Sequence, residues 1–119
     1  MDLINEIQAK QSMLDKSIKE LRKTGTTYAQ AERDYKVSLR SHALQLRANE
    51  NMAVTLIDKV VFGIPEVAEL RFQRDVAKVI YDANQDAINS IKLQLRLLDA
   101  QLSREWGNTK WTQEKCLKS

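Results

Sequence analysis

A chain of 119 residues, 43% hydrophobic and 29% charged, is sized for one domain and composed like a soluble helical protein. Three glycines and one proline supply too few turn formers for most β architectures, and no run approaches the roughly 18 apolar residues of a membrane span. The nineteen Lys and Arg against sixteen Asp and Glu give a net charge of +3. Because the two signs are interspersed, this excess predicts solvated helix faces and not the basic stripe of a nucleic-acid-binding surface.

The opening MDLINEIQAK lacks the basic n-region and continuous apolar core of a signal peptide. The single cysteine, Cys116, excludes an internal disulfide, and together these features predict a cytoplasmic protein. From about Leu3 to Ala48 the pattern predicts one long helix. One heptad track holds Ile4, Gln11, Ile18, Gly25, Glu32, Leu39 and Leu46, and its companion holds Ile7, Leu14, Leu21, Tyr28, Tyr35 and His42. This is a coiled-coil-like seam with polar interruptions. Gly25 costs about 1 kcal/mol against alanine in a helix. The step from Leu21 to Tyr28 nevertheless keeps the heptad phase, so the helix is expected to continue through Gly25 with at most a bend.

Asn49-Glu50-Asn51 ends that segment with weak helix formers, and residues 54–72 form a corner. Thr55 and Asp58 have the spacing of a capping box that would start a short helix. Gly63 is expected to end it in the left-handed conformation, and Pro65 to open the next helix, where its missing N–H costs nothing. The return helix is expected from Pro65 to about Trp106. Its apolar members include Val67, Leu70, Val76, Ala77, Ile80, Tyr81, Ala83, Ala87, Ile88, Ile91, Leu95, Leu98 and Leu102, and Glu66 and Glu69 suit the N-terminal dipole. Residues 107–119 lose the period and are expected to be a flexible polar tail beyond a hairpin domain of residues 1–106. Trp111, with Lys110, Lys115 and Lys118, is that tail's candidate contact.

The fold class is therefore all-α, a long helical hairpin with a short corner helix. Two helices enclose little core. Val76, Ala83 and Leu97 widen the apolar face, so a homodimer forming a four-helix bundle is expected, with Gln11 and Asn84 as polar residues that set register.

No constellation identifies a reaction. A single histidine, His42, cannot build a zinc cluster or the paired Glu-x-x-His motifs of a di-iron bundle. Ser41, His42 and Asp34 are triad residue types on one helix, without the turn a triad needs. Asp82 and Asp86 sit one turn apart, and no Walker or dinucleotide fingerprint occurs. The expectation is a non-enzyme without cofactor or metal that binds a macromolecule through exposed helix faces. Arg33, Arg40, Arg71, Arg74, Asp82 and Asp86 are its candidate contacts. Residues 55–74 also have the outline of a helix-turn-helix, which keeps nucleic-acid binding as the competing class, but Glu66 and Glu69 would meet phosphate at its entering end.

The strings YAQAERDYKVSLR, VTLIDKVVFG, ELRFQRDVAKVIYDA and AINSIKLQLRLLDAQLSREW resemble small helical proteins encoded by temperate phages of low-GC Gram-positive bacteria, over about residues 1–106. The resemblance implies an early phage protein, or a prophage one, acting in the bacterial host cytoplasm. It carries no active-site residues. The expected function is accessory or inhibitory, by binding a host or phage protein of DNA metabolism or defence; the alternative is a nucleic-acid-binding accessory of phage recombination or replication.

Overall fold

The computed structural model describes residues 2–118, and the side chains of residues 2–107. Helix α1 spans Leu3–Asn49, helix α2 Val54–Val60, a 3-10 turn Val61–Gly63 and helix α3 Pro65–Lys118. Among the described residues there is no strand, so the all-α class holds. Contacts divide the chain into two compact units, Glu20–Asn84 and Met1–Lys19 with Gln85–Ser119.

The unit Glu20–Asn84 is a helical hairpin. Its antiparallel register is fixed by Thr24 against Asn84, Tyr28 against Tyr81, Tyr35 against Arg74 and His42 against Glu66. The buried or half-buried residues of α1 here include Thr24, Tyr28, Ala31, Tyr35, Ser38 and His42, a four-three alternation that keeps one stripe of a helix facing its partner. On α3 the matching stripe is Val67, Leu70, Arg74, Ala77, Tyr81 and Asn84. Small and large residues alternate along the α1 stripe, Thr24, Ala31 and Ser38 with Tyr28, Tyr35 and His42. Asn84 lies in the seam, where its Oδ1 accepts from the Thr24 hydroxyl at 2.9 Å.

Helix α1 runs unbroken through Gly25, and the glycine has a packing reason. A β-carbon there would stand 3.2 Å from Cε1 of Tyr81, so the missing side chain admits the tyrosine ring. That ring packs on Tyr28 with centroids 5.9 Å apart and planes at 32°.

At the corner the structure corrects two assignments. No Thr55–Asp58 capping box forms: the N-cap of α2 is Ala53, in extended conformation and without a side-chain cap. The helix starts two residues earlier than a Thr55 cap would require, with the Leu56 and Ile57 N–H groups both bonding to the Ala53 carbonyl at 3.0 Å. This start accompanies burial of Ile57, and Val61 is buried in the turn that follows. Gly63 is not a left-handed terminator either, because no glycine among the described residues has positive φ. The 3-10 turn ends instead at extended Ile64, φ −66° and ψ 126°, which leads directly into Pro65. The left-handed residue is Asn51, φ 51°, just past the end of α1. The Met52 N–H there closes on the Leu46 carbonyl and Arg47 donates to the Met52 carbonyl at 3.0 Å. Asparagine tolerates this conformation better than most residues.

In the second unit the seam is mainly apolar. Leu3, Leu14, Ile88 and Ile91 are buried, with Ile7, Leu95, Leu98 and Leu102 half-buried. Ile4, Gln11 and Ile18 are exposed, so that part of the first expected track does not form the seam and Gln11 is no core polar residue. The inward positions alternating with Ile7 and Leu14 are Leu3, Lys10 and Ser17. Helix α3 also continues past Trp106 to Lys118. Gly107 costs only about 1 kcal/mol, no proline follows, and a propagating helix gains one hydrogen bond per residue added. The side chains of Lys110, Trp111, Lys115, Cys116 and Lys118 lie outside the described residues.

Candidate interaction surfaces

The six polar candidates do not converge on one site. Arg33 bonds to its neighbour Asp34 at 3.3 Å and, like Arg40, is exposed on α1. Arg71 places its guanidinium 5.6 Å from the centre of the Phe62 ring. Arg74 belongs to the hairpin seam: its guanidinium lies 4.6 Å over Tyr35 and pairs with Asp75 at 2.9 Å. Arg74 is therefore engaged within the fold through a cation–π contact and an ion pair. Asp82 is 4.0 Å from Lys78 across one turn, and Asp86 is exposed.

An open cleft of about 530 Å³ flanks the hairpin, lined by Arg33, Ser38, Ser41, His42, Gln45 and Glu66 among others. His42 Nε2 stands 2.9 Å from Glu66 Oε2 and so bridges α1 to the first turn of α3. The Ser38 hydroxyl is buried without a hydrogen-bond partner among the described residues. The imidazole thus engages a carboxylate on the opposite helix. Among the described residues no group of three or more His, Cys, Asp or Glu side chains could hold a metal ion. No helix among them is long and apolar enough to cross a membrane.

Two exposed stripes stand apart from the seam. On α1, Val37 and Leu44 are each 63% exposed and alternate with Arg33, Arg40 and Arg47. The order 33, 37, 40, 44, 47 repeats the four-three spacing, so these residues share one helix face. On α3, the unit Glu20–Asn84 exposes Phe72, Val76, Val79 and Ala83, and the other unit exposes Leu93, Leu97 and Ala100. Val76, Ala83 and Leu97 were visible in the sequence as residues off the main track. Val37, Leu44, Phe72, Val79 and Leu93 were not singled out. The signal that finds them is a second four-three repeat offset from the first.

Val67 is the one large side chain buried completely among the described residues. The chain matches no protein-family model, no curated protein and no solved structure.

Proposed function

We propose that this protein acts without catalysis, as a helical binding module that self-associates as a dimer of four helices and holds a protein partner on the outer face of α1. The observation that carries the reading is the exposed stripe in which Val37 and Leu44 alternate with Arg33 and Arg40. Isolated exposed apolar residues need no explanation, but apolar residues at helical spacing between arginines form the pattern an amphipathic partner helix reads. The complementary partner is a helix with apolar residues on the same spacing and Asp or Glu beside them. Arginine favours this role because its planar fork holds a carboxylate at two points.

The resemblance to phage proteins directs the partner's identity toward a host or phage protein of DNA metabolism or defence in the bacterial cytoplasm, with this chain as an accessory or inhibitor. The inward placement of Arg74 weighs against DNA reading by the corner, since one of the two arginines on its second helix is already occupied by Tyr35 and Asp75.

The test is capture from phage-infected cells with wild-type chain and with Arg33→Glu/Arg40→Glu, comparing bound proteins before and after nuclease. A stoichiometric protein that survives nuclease and is lost with the double variant, at unchanged helicity, supports the reading. Retention by the double variant refutes the α1 stripe. Binding that disappears with nuclease and falls steeply with salt identifies a nucleic acid instead.

A further inference from the structure

We infer that a second copy of this chain lays the outer face of its α3 along the outer face of α1, parallel to it, with Val37 level with Phe72 of that copy. The inference rests on the self-association proposed above and adds which two faces meet, their orientation and their register. Both faces lie inside the unit Glu20–Asn84, each on the side of its helix away from the hairpin seam. On α1 the face is Arg33, Val37, Arg40, Leu44 and Arg47, all exposed. On α3 it is Ala68, Phe72, Asp75, Val79 and Asp82, also exposed, with Val76 and Ala83 along one edge. Both run in the same order of four-residue and three-residue steps, the spacing of a coiled-coil seam.

The two faces match in shape of pattern and differ in sign. Apolar residues alternate with arginines on α1, and with the carboxylates Asp75 and Asp82 on α3; the α1 face carries no carboxylate and the α3 face no cation. Two α1 faces would bring arginines together and two α3 faces would bring carboxylates together, so neither pairs well with itself. A parallel copy in the stated register sets Val37 on Phe72, Arg40 on Asp75, Leu44 on Val79 and Arg47 on Asp82, while Arg33 meets Ala68. Sliding by one heptad puts Arg40 on Ala68 and loses an ion pair, or puts Leu44 against the carboxylate of Asp86. In an antiparallel copy Val37 and Leu44 meet Val79 and Phe72 only where Arg33 and Arg40 face Ala83 and Val76. Of the arginines only Arg47, opposite Glu69, then finds a carboxylate. Asp75 already holds Arg74 through Oδ1, and a carboxylate has further lone pairs to offer Arg40.

The outer faces of α1 and α3 point away from each other across the hairpin, so two copies joined this way leave one α1 face and one α3 face open. The contact is heterologous and can extend to further copies. Within this unit, residues 30–49 of α1 come level with residues 65–84 of the other copy, about 30 Å of helix. With a helix about 10–12 Å across, each copy covers roughly 300–360 Å², below the total of about 1,200 Å² at which stable interfaces begin. The assembly is therefore weak and reversible, and salt weakens it by screening the exposed ion pairs. A partner helix on α1 occupies the face that the second copy needs, so binding it caps the assembly.

Sedimentation equilibrium of the full chain from micromolar to millimolar concentration tests the inference, with circular dichroism confirming helicity for each variant. Wild type should assemble reversibly, and less so at high salt. Leu44→Glu, which spoils only the α1 face, and Val79→Glu, which spoils only the α3 face, should each be monomeric alone. An equimolar mixture of the two should form a one-to-one dimer that grows no further, because it holds one intact face of each kind. Arg40→Glu and Asp75→Arg should each weaken assembly about tenfold, since each replaces an attraction with a like-charge contact. Arg40→Glu/Asp75→Arg together should restore it. A wild-type chain that is monomeric at every concentration overturns self-association itself. Assembly by either glutamate variant alone, or a mixture that stays monomeric, overturns the pairing of α1 with α3 while leaving self-association intact. A double charge variant that fails to recover overturns the register.

Discussion

Gly25→Ala sets two calculable effects against each other. Alanine in a helix interior is favoured over glycine by about 1 kcal/mol, so on local grounds the substitution should stabilise α1. The added β-carbon, however, would meet Tyr81 Cε1 at 3.2 Å and Cδ1 at 3.6 Å, against ordinary carbon contacts of about 3.5–4.0 Å. The ring, which packs on Tyr28, must withdraw by a few tenths of an ångström. Tyr81 is only half-buried, so the adjustment should cost about 1 kcal/mol, the low end of overpacking penalties. The two effects should nearly cancel, leaving Gly25→Ala within about 0.5 kcal/mol of wild type. In a Tyr81→Ala background the obstacle is gone, and the same substitution should stabilise by the full value of about 1 kcal/mol. Urea unfolding of the four proteins at one chain concentration gives the coupling. If Gly25→Ala stabilises equally in both backgrounds, the tyrosine does not press on this position and the packing explanation for Gly25 is wrong.

The corner separates two residues by φ. Gly63→Ala should raise stability by about 0.4–1 kcal/mol, because φ at Gly63 is not positive, a β-carbon there would meet nothing within 4 Å, and alanine restricts the unfolded chain. Asn51→Ala, by contrast, should cost about 1 kcal/mol through its left-handed backbone, while Asn51→Gly should not destabilise. Thermal melts of these three variants check the assignments together, and a melting loss in Gly63→Ala would contradict them. Thr24→Val keeps the shape of the seam but removes the donor to Asn84, at an expected cost of about 1 kcal/mol. Double-mutant analysis with Asn84→Ala should show that the two losses are not additive.

What the sequence disclosed depended on whether a residue's side chain or its setting does the work. Pro65 opening α3 and the passage of α1 through Gly25 follow from properties those residues carry anywhere: a fixed φ, and a heptad phase that an inserted loop would have shifted. The corner caps did not follow. Thr55 and Asp58 have capping chemistry, but Ala53 starts the helix. Gly63 is the residue best able to adopt positive φ, yet Asn51 does so. In each case several residues were locally competent, and position in the folded corner chose among them.

The same distinction explains the surfaces. Half of the α1 seam is written in apolar or aromatic residues, Ile7, Leu14, Leu21, Tyr28 and Tyr35. Apart from Leu3, the inward positions alternating with them hold Lys10, Ser17, Thr24, Ala31 and Ser38, which carry almost no hydrophobic signal. Their contribution is small size or a flexible stem, letting the bulkier residues of α3 fill the space; a charged head such as that of Lys10 can reach water while its stem packs. With that half of the seam hidden, Ile4, Gln11 and Ile18 looked like the missing track, although they face solvent. Once α3 supplies the bulk on its inward side, its outer apolar residues are surplus to the hairpin's packing. A surplus scattered at random would need no explanation, but within each unit these residues keep the four-three spacing, Phe72, Val76, Val79 and Ala83 in one and Leu93, Leu97 and Ala100 in the other. That regularity is a property of the pattern, and no single residue displays it.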